Sequence, residues 1–212
     1  MKRTGPVILT LGLALIAAST VHAQQLLSLG LRGGVSQTTM SISGGASPSA
    51  RTGFLVGPTG SVRLSDVLAI QFDALYVTKG FKANATEGIT TALDLSYLDV
   101  PITAVLGFPA TGKGMLQVRL QAGTSFGFRV QCSVDQGTGD VTGIADCNPD
   151  NVATFDVGLV GGAGLKIGRG PGGLVIDATY TYGLLDANLG ASDITAKNRA
   201  LMVSAGFVFP IM

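Results

Sequence analysis

The sequence predicts an all-β fold, an eight-stranded antiparallel up-and-down transmembrane β-barrel, and three observations lead there. Apolar residues alternate with small polar ones through eight segments, charged residues are scarce, and the connections are alternately short and long. Of 212 residues, 46% are hydrophobic and 13% charged, with 31 Gly and no Trp; mean hydropathy is +0.45. Soluble globular domains carry roughly 25% charged residues, about twice this share. After the N-terminus no apolar run reaches the roughly 18 residues of a membrane-spanning helix. The composition argues against a disordered chain, a nucleic-acid binder and a helical membrane protein. A barrel hides apolar residues in alternation and satisfies every backbone group between strands.

The first residues are set aside before the fold is read. Lys2 and Arg3 precede an apolar stretch at 7–18, and Val21-His22-Ala23 places small residues where a signal peptidase reads. The expectation is a secretory signal peptide over 1–23, cleaved after Ala23, and one barrel domain over 24–212. Cleavage removes His22, the only histidine. The remaining chain has no imidazole for general-base work or metal ligation, which excludes most Ser-His-Asp, Cys-His and zinc chemistry.

Period-two alternation then runs along the chain. In 27–35, Leu27, Leu29, Leu31 and Val35 oppose Ser28, Gly30, Arg32 and Gly34. Segments 54–64, 68–80 and 93–108 follow. The cleanest is 116–130, where Val118, Leu120, Phe126, Phe128 and Val130 oppose Gln117, Arg119, Gln121, Ser125 and Arg129. Segments 155–167, 174–182 and 199–211 complete the eight. A soluble sandwich also alternates, but it covers its exposed faces with charge, and here charge is too scarce to do so. If the apolar face meets lipid and the small polar face a narrow lumen, the deficit is explained. Segment 116–130 exceeds the roughly 9–11 residues of a tilted spanning strand, so it should project beyond the headgroups.

The connections agree. Short joints lie at 65–67, 109–114 and 169–173, and long ones at 36–52, 81–92, 131–153 and 183–198. Short periplasmic turns and long outer loops characterise outer-membrane barrels. Pro58 and Pro101 resist, because a closed barrel has no free edge to excuse a missing N–H. In the fourth segment Asp94 and Ser96 fall out of phase with Asp99. One extra residue near Tyr97 repairs this and predicts a β-bulge there; Pro58 suggests a similar irregularity. Cys132 and Cys147 flank an Asp/Gly/Thr-rich segment, and an even cysteine count in an exported chain predicts a disulfide. It would stabilise by up to about 3 kcal/mol.

Three segments carry a resemblance: Leu75-Tyr76 with Lys79-Gly80, Tyr97-Leu98-Asp99-Val100-Pro101, and the C-terminal run 204–211. Together they resemble the PorT-like outer-membrane β-barrel family, whose members look like small OmpA/OmpX-type barrels of eight strands. The C-terminal run also looks like the signal read by the barrel-assembly machinery, through Ser204, Gly206, Phe209 and Ile211, although it ends in Met212 rather than an aromatic residue. The resemblance implies an outer-membrane location without implying one activity; some relatives are associated with protein secretion.

Parity places Arg32, Arg63, Lys79, Arg119, Arg129 and Lys166 in the lumen with Asp73, Asp99, Asp156 and Asp177. An eight-stranded interior is about filled by side chains, and an unpaired buried charge is costly, so the expectation is a salt-bridged plug. A gated ion path is the sharper alternative. Catalysis is not expected, since the carboxylates, Ser125 and Ser204 lack a histidine partner. The four Tyr and most Phe are assigned to aromatic belts. The stretch 161–164 is read as small residues in a crowded lumen and 168–173 as a tight turn, since neither has a phosphate-loop ending. Asp135, Asp140, Asp146 and Asp150 make an acidic third loop without Asp-x-Asp metal spacing. No cofactor, metal or nucleic acid is expected. The expected partners are outer-membrane lipid, the assembly machinery and an unidentified surface or secretion component. The expected role is structural or surface-interacting. The alternatives are a narrow, porin-like pore or transport barrel for small solutes or hydrophobic molecules, or an accessory of a secretion system.

Overall fold

A computed structural model describes residues 27–42, 49–84, 90–110, 115–138, 141–146, 153–168, 170, 172–185 and 196–211. The expected signal peptide lies outside these residues. Among the described residues ten strands are present: β1 (Leu27–Ile42), β2 (Ser49–Arg63), β3 (Leu68–Asp73), β4 (Leu75–Asn84), β5 (Thr90–Pro109), β6 (Leu116–Thr138), β7 (Val141–Asp146), β8 (Phe155–Ile167), β9 (Gly173–Gly183) and β10 (Ala196–Ile211). β3 and β4 are two halves of one barrel strand, interrupted at Ala74, and β7 forms a hairpin with the far end of β6. The wall is therefore eight-stranded. It runs β3/β4, β2, β1, β10, β9, β8, β6 and β5, and closes where β5 pairs with β3 and β4; every pairing is antiparallel.

Leu27 pairs with Ile211, so β1 starts and β10 ends at the rim that holds the short connections. Alternation sets which side chains leave the barrel: Val118, Leu120 and Leu159 are 39%, 48% and 51% exposed on the outer face, while Arg119 and Lys166 are 8% and 7% exposed within. Outward aromatics pair at two levels. Phe207 and Phe209 lie 4.7 Å apart near the short-turn rim, and Phe128–Phe155 (5.2 Å) and Phe54–Tyr76 (5.9 Å) lie toward the long loops.

The structure corrects several expectations. The third loop is not irregular throughout, because Ser133–Thr138 pairs with Val141–Asp146 and carries the wall outward as a hairpin. The first loop is shorter than expected, since β1 continues to Ile42 and β2 begins at Ser49. The register does shift between Ser96 and Tyr97, but the extra residue is Val130 of the partner strand, since Ser96 pairs with Gln131 and Tyr97 with Arg129. β5 keeps its phase, with Leu95, Tyr97, Asp99, Pro101 and Thr103 all buried inward. Tyr97 is thus a lumen residue rather than part of a belt. Ser96 accepts a hydrogen bond from the Tyr76 hydroxyl at 2.8 Å.

Pro58 acquires a physical account. The β2–β3 register sets it opposite Ala74, whose N–H donates to the Pro58 carbonyl at 3.0 Å. Proline has no N–H to return to the Ala74 carbonyl, and it is there that β3 and β4 separate. Continuing the β3–β5 and β4–β5 registers sets Pro101 opposite Asp73, beside the same break. The two prolines flank one interruption.

Candidate functional site

The lumen holds a closed circuit of polar side chains. Arg32 donates through Nη2 to Asp177 Oδ2 at 2.8 Å and through Nη1 to Asp73 Oδ2 at 3.3 Å. Gln71 Nε2 donates to the same Asp73 oxygen at 3.0 Å, and Gln71 Oε1 accepts from Arg119 Nη2 at 2.6 Å. Arg119 Nε lies 3.6 Å from Asp177 Oδ1 and closes the loop. These residues come from β1, β3, β6 and β9, every second strand of the wall. Inward side chains of alternate strands fall at one level of a barrel, so the circuit crosses the lumen rather than running along its wall.

Glycine makes the room. A Cβ on Gly164 of β8 would fall onto Asp177 Oδ1 and the Ile176 carbonyl. Gly161, on the outer face of the same strand, has nothing within 4 Å of such an atom. Between β8 and β9 the described glycines Gly168 (φ 152°), Gly170 (φ 63°) and Gly173 (φ 141°) have positive φ, a conformation that glycine adopts without steric cost.

Toward the long loops the lumen turns apolar, contrary to the expectation of a polar inner face throughout. Leu55, Leu75, Val77, Ala200 and Met202 form a buried cluster there. Side chains of β2, β4 and β10 meet in so narrow a cylinder, and methyl and thioether groups fill it without asking for hydrogen bonds. A second polar group includes Lys79, whose Nζ lies 2.9 and 2.7 Å from the two Asp99 oxygens and 4.8 Å from the centre of the Tyr97 ring. Asn198 donates to Asp156 Oδ2 at 2.8 Å, spanning β10 to β8. A Cβ on Gly127 would lie 2.7 Å from Asp99 Oδ1 and 3.5 Å from Asp156 Cβ, which brings these carboxylates to one place.

Of the ten charged residues read from parity, Arg32, Asp73, Arg119 and Asp177 share the circuit, and Lys79, Asp99 and Asp156 the outer group. Lys166 is buried near the short-turn rim and donates to the Gly170 carbonyl. Arg63 is half-buried at the same rim, and Arg129 is half-buried on β6. Ser204 is buried, Gly206 half-buried, and Phe209 and Ile211 point outward. Cys132 is half-buried on β6; Cys147 lies outside the described residues, as do Asp140 and Asp150. Sequence reasoning missed Gln71, although it shares parity with Asp73 two residues on. It also missed Asn198, which stood at the edge of an apparent loop.

A closed barrel with an apolar belt outside and charge pairs inside defines an outer-membrane β-barrel protein. The sequence matches the family described as outer membrane protein beta-barrel domain over residues 22–188, and the chain belongs to that family. No curated protein matches it. Among solved structures it is similar to the outer-membrane protein OprG of Pseudomonas aeruginosa, with 14% identity over 89% of this chain and 98% of that one, TM-score 0.51. It is similar also to Ail, the attachment invasion locus protein of Yersinia pestis, in complex with the heparin analogue sucrose octasulfate, with 17% identity over 86% and 99% of the two chains, TM-score 0.46. The outer-membrane enzyme PagL is 16% identical over 84% and 99%, TM-score 0.41. Likeness at this identity concerns the fold alone.

Proposed function

We propose that the protein is a non-enzymatic outer-membrane barrel whose lumen is plugged by charge pairs and whose work is structural or surface-interacting, done by the long loops. The observation that carries this reading is the closed Arg32–Asp73–Gln71–Arg119–Asp177 circuit, which occupies the cross-section that a pore would need. The lack of a histidine after His22 supports the non-enzymatic part. In this reading the chain is exported with residues 1–23 removed after Ala23. It inserts through the assembly machinery by way of Ser204, Gly206, Phe209 and Ile211, and it presents a third hairpin stapled by Cys132–Cys147. The motifs at 75–80 and 97–101 support a PorT-like membership.

Planar-bilayer recording tests the plug. The wild-type barrel is expected to give no steady unitary current, and a variant emptied by Arg32→Ala with Asp177→Ala to give one; steady wild-type currents overturn the reading. For the staple, alkylation is expected to add two groups to the purified protein only after reduction, read by mass spectrometry. Labelling without reductant refutes it.

A transport reading has one observation in its favour. Between Ala50–Phe81 and Leu55–Val77 the β2–β4 register slips by one residue. A cavity of about 360 Å³ lies there, bordered by Gly53, Phe54, Thr78, Leu95 and Ser96. A small hydrophobic molecule passing sideways would use this seam.

A further inference from the structure

We propose that the short-turn end of the lumen is a binding site for a phosphate-class oxyanion. Beneath the circuit lies a cavity of about 70 Å³ lined by Arg63, Arg119, Lys166, Gln71, Gln117 and Ser61 among others. Its roof is the circuit itself, through Gln71 and Arg119, and its mouth is the 64–67 turn. On the scale where about 10–15 Å³ holds one water, it has room for one small tetrahedral anion and accompanying water.

The charges in this half of the lumen do not balance. Arg32, Arg63, Arg119 and Lys166 share the interior with Asp73 and Asp177; Arg32 engages both carboxylates, and Arg119 also lies against Asp177. Among the described residues, neither Arg63 nor Lys166 has a carboxylate within ion-pair distance. Lys166 is 7% exposed and its ammonium is held by one neutral partner, the Gly170 carbonyl. An ammonium has three protons to donate, and a buried cation without a counter-charge is costly. Asp66 also borders the cavity, but it is exposed on the turn and forms no ion pair with the three cations. A guanidinium fork, a second guanidinium and an ammonium converging on one recess, with amide and hydroxyl groups beside them, match the lone pairs of a phosphate-like oxyanion. Such an anion comes either from a lipid headgroup at the rim or from solution.

The test is inorganic phosphate titrated into the folded full-length barrel in a non-ionic detergent, followed by phosphorus-31 NMR. Saturable binding is expected for the wild type. It should be weakened about tenfold or more by Lys166→Gln, weakened also by Arg63→Gln, and unchanged by Lys197→Gln at the opposite end. The wild-type unfolding midpoint should rise with phosphate while that of Lys166→Gln stays fixed, which separates loss of the site from loss of the fold. Absence of saturable wild-type binding, or equal binding by Lys166→Gln, overturns the proposal. Competition by phosphatidylglycerol but not phosphatidylcholine identifies a headgroup as the source, and indifference to both identifies a soluble anion.

Discussion

The two polar groups of the lumen are built on different principles. The lower one ties four alternate strands together through two guanidinium groups, each touching two partners. The outer one is made of separate pairs, an ammonium reaching the adjacent strand at Asp99 and an amide reaching over β9 from β10 to Asp156 on β8. Arginine presents donors in a rigid planar fork that serves two acceptors at fixed angles, whereas lysine is a compact charge on a flexible stem. Joining two partners at once therefore falls to arginine. The apolar cluster of Leu55, Leu75, Val77, Ala200 and Met202 adds a third kind of filling. The barrel has no single type of core.

The comparison breaks most sharply on removal of the cations. Arg32→Ala takes a guanidinium from two buried carboxylates, leaving Asp73 to the neutral Gln71 amide and Asp177 to Arg119 at 3.6 Å, and is expected to cost about 3–5 kcal/mol. Lys79→Ala strands only Asp99 and should fall at about 3 kcal/mol. Urea unfolding in bilayers, followed by circular dichroism, measures both. An equal or larger loss for Lys79→Ala would show that the circuit is not the main polar tie. A milder change isolates the fork: Arg32→Lys keeps the charge but cannot hold both carboxylates in the same geometry. It should lose one charge-assisted hydrogen bond, about 1.5–3 kcal/mol.

Much of this was legible in the sequence, and the limits have physical causes. A strand has a strict period of two, so the inward direction of Arg32, Asp73, Arg119, Asp156 and Asp177 follows from parity alone. Partner choice does not. It depends on the stagger between strands, which brings Arg32 to Asp177 across 145 positions of sequence. The apolar cluster was only partly legible: Val77 shares its strand and parity with Asp73 and Lys79, which places it inside, whereas Leu55 on β2 fits a lipid-facing reading unless Thr59 and Arg63 of its own strand set the phase. The register shift falls near Tyr97 as expected, but the premise of a phase change in β5 fails: β5 keeps its phase, and the extra residue, Val130, lies at the end of the β6 segment that alternated most cleanly. Pro58 gave no signal until Ala74 stood opposite it.

The smallest effects test how tightly each level is packed, using three glycines that differ in what a methyl group meets. On Gly164 it meets the Ile176 carbonyl as well as Asp177, and backbone cannot swing aside, so Gly164→Ala should cost about 1–3 kcal/mol. On Gly127 the obstacles are side-chain atoms of Asp99, Tyr97 and Asp156. The Asp99 carboxylate can rotate if Lys79 follows it, so Gly127→Ala should cost less, about 1 kcal/mol. On Gly161 it meets nothing, and Gly161→Ala should stay within about 0.5 kcal/mol of wild type. Equal losses at Gly164 and Gly161 would mean that a generic strand effect dominates and that the circuit has slack. Equal losses at Gly164 and Gly127 would mean that the ammonium group is as rigid as the guanidinium circuit, which removes the distinction between the two levels.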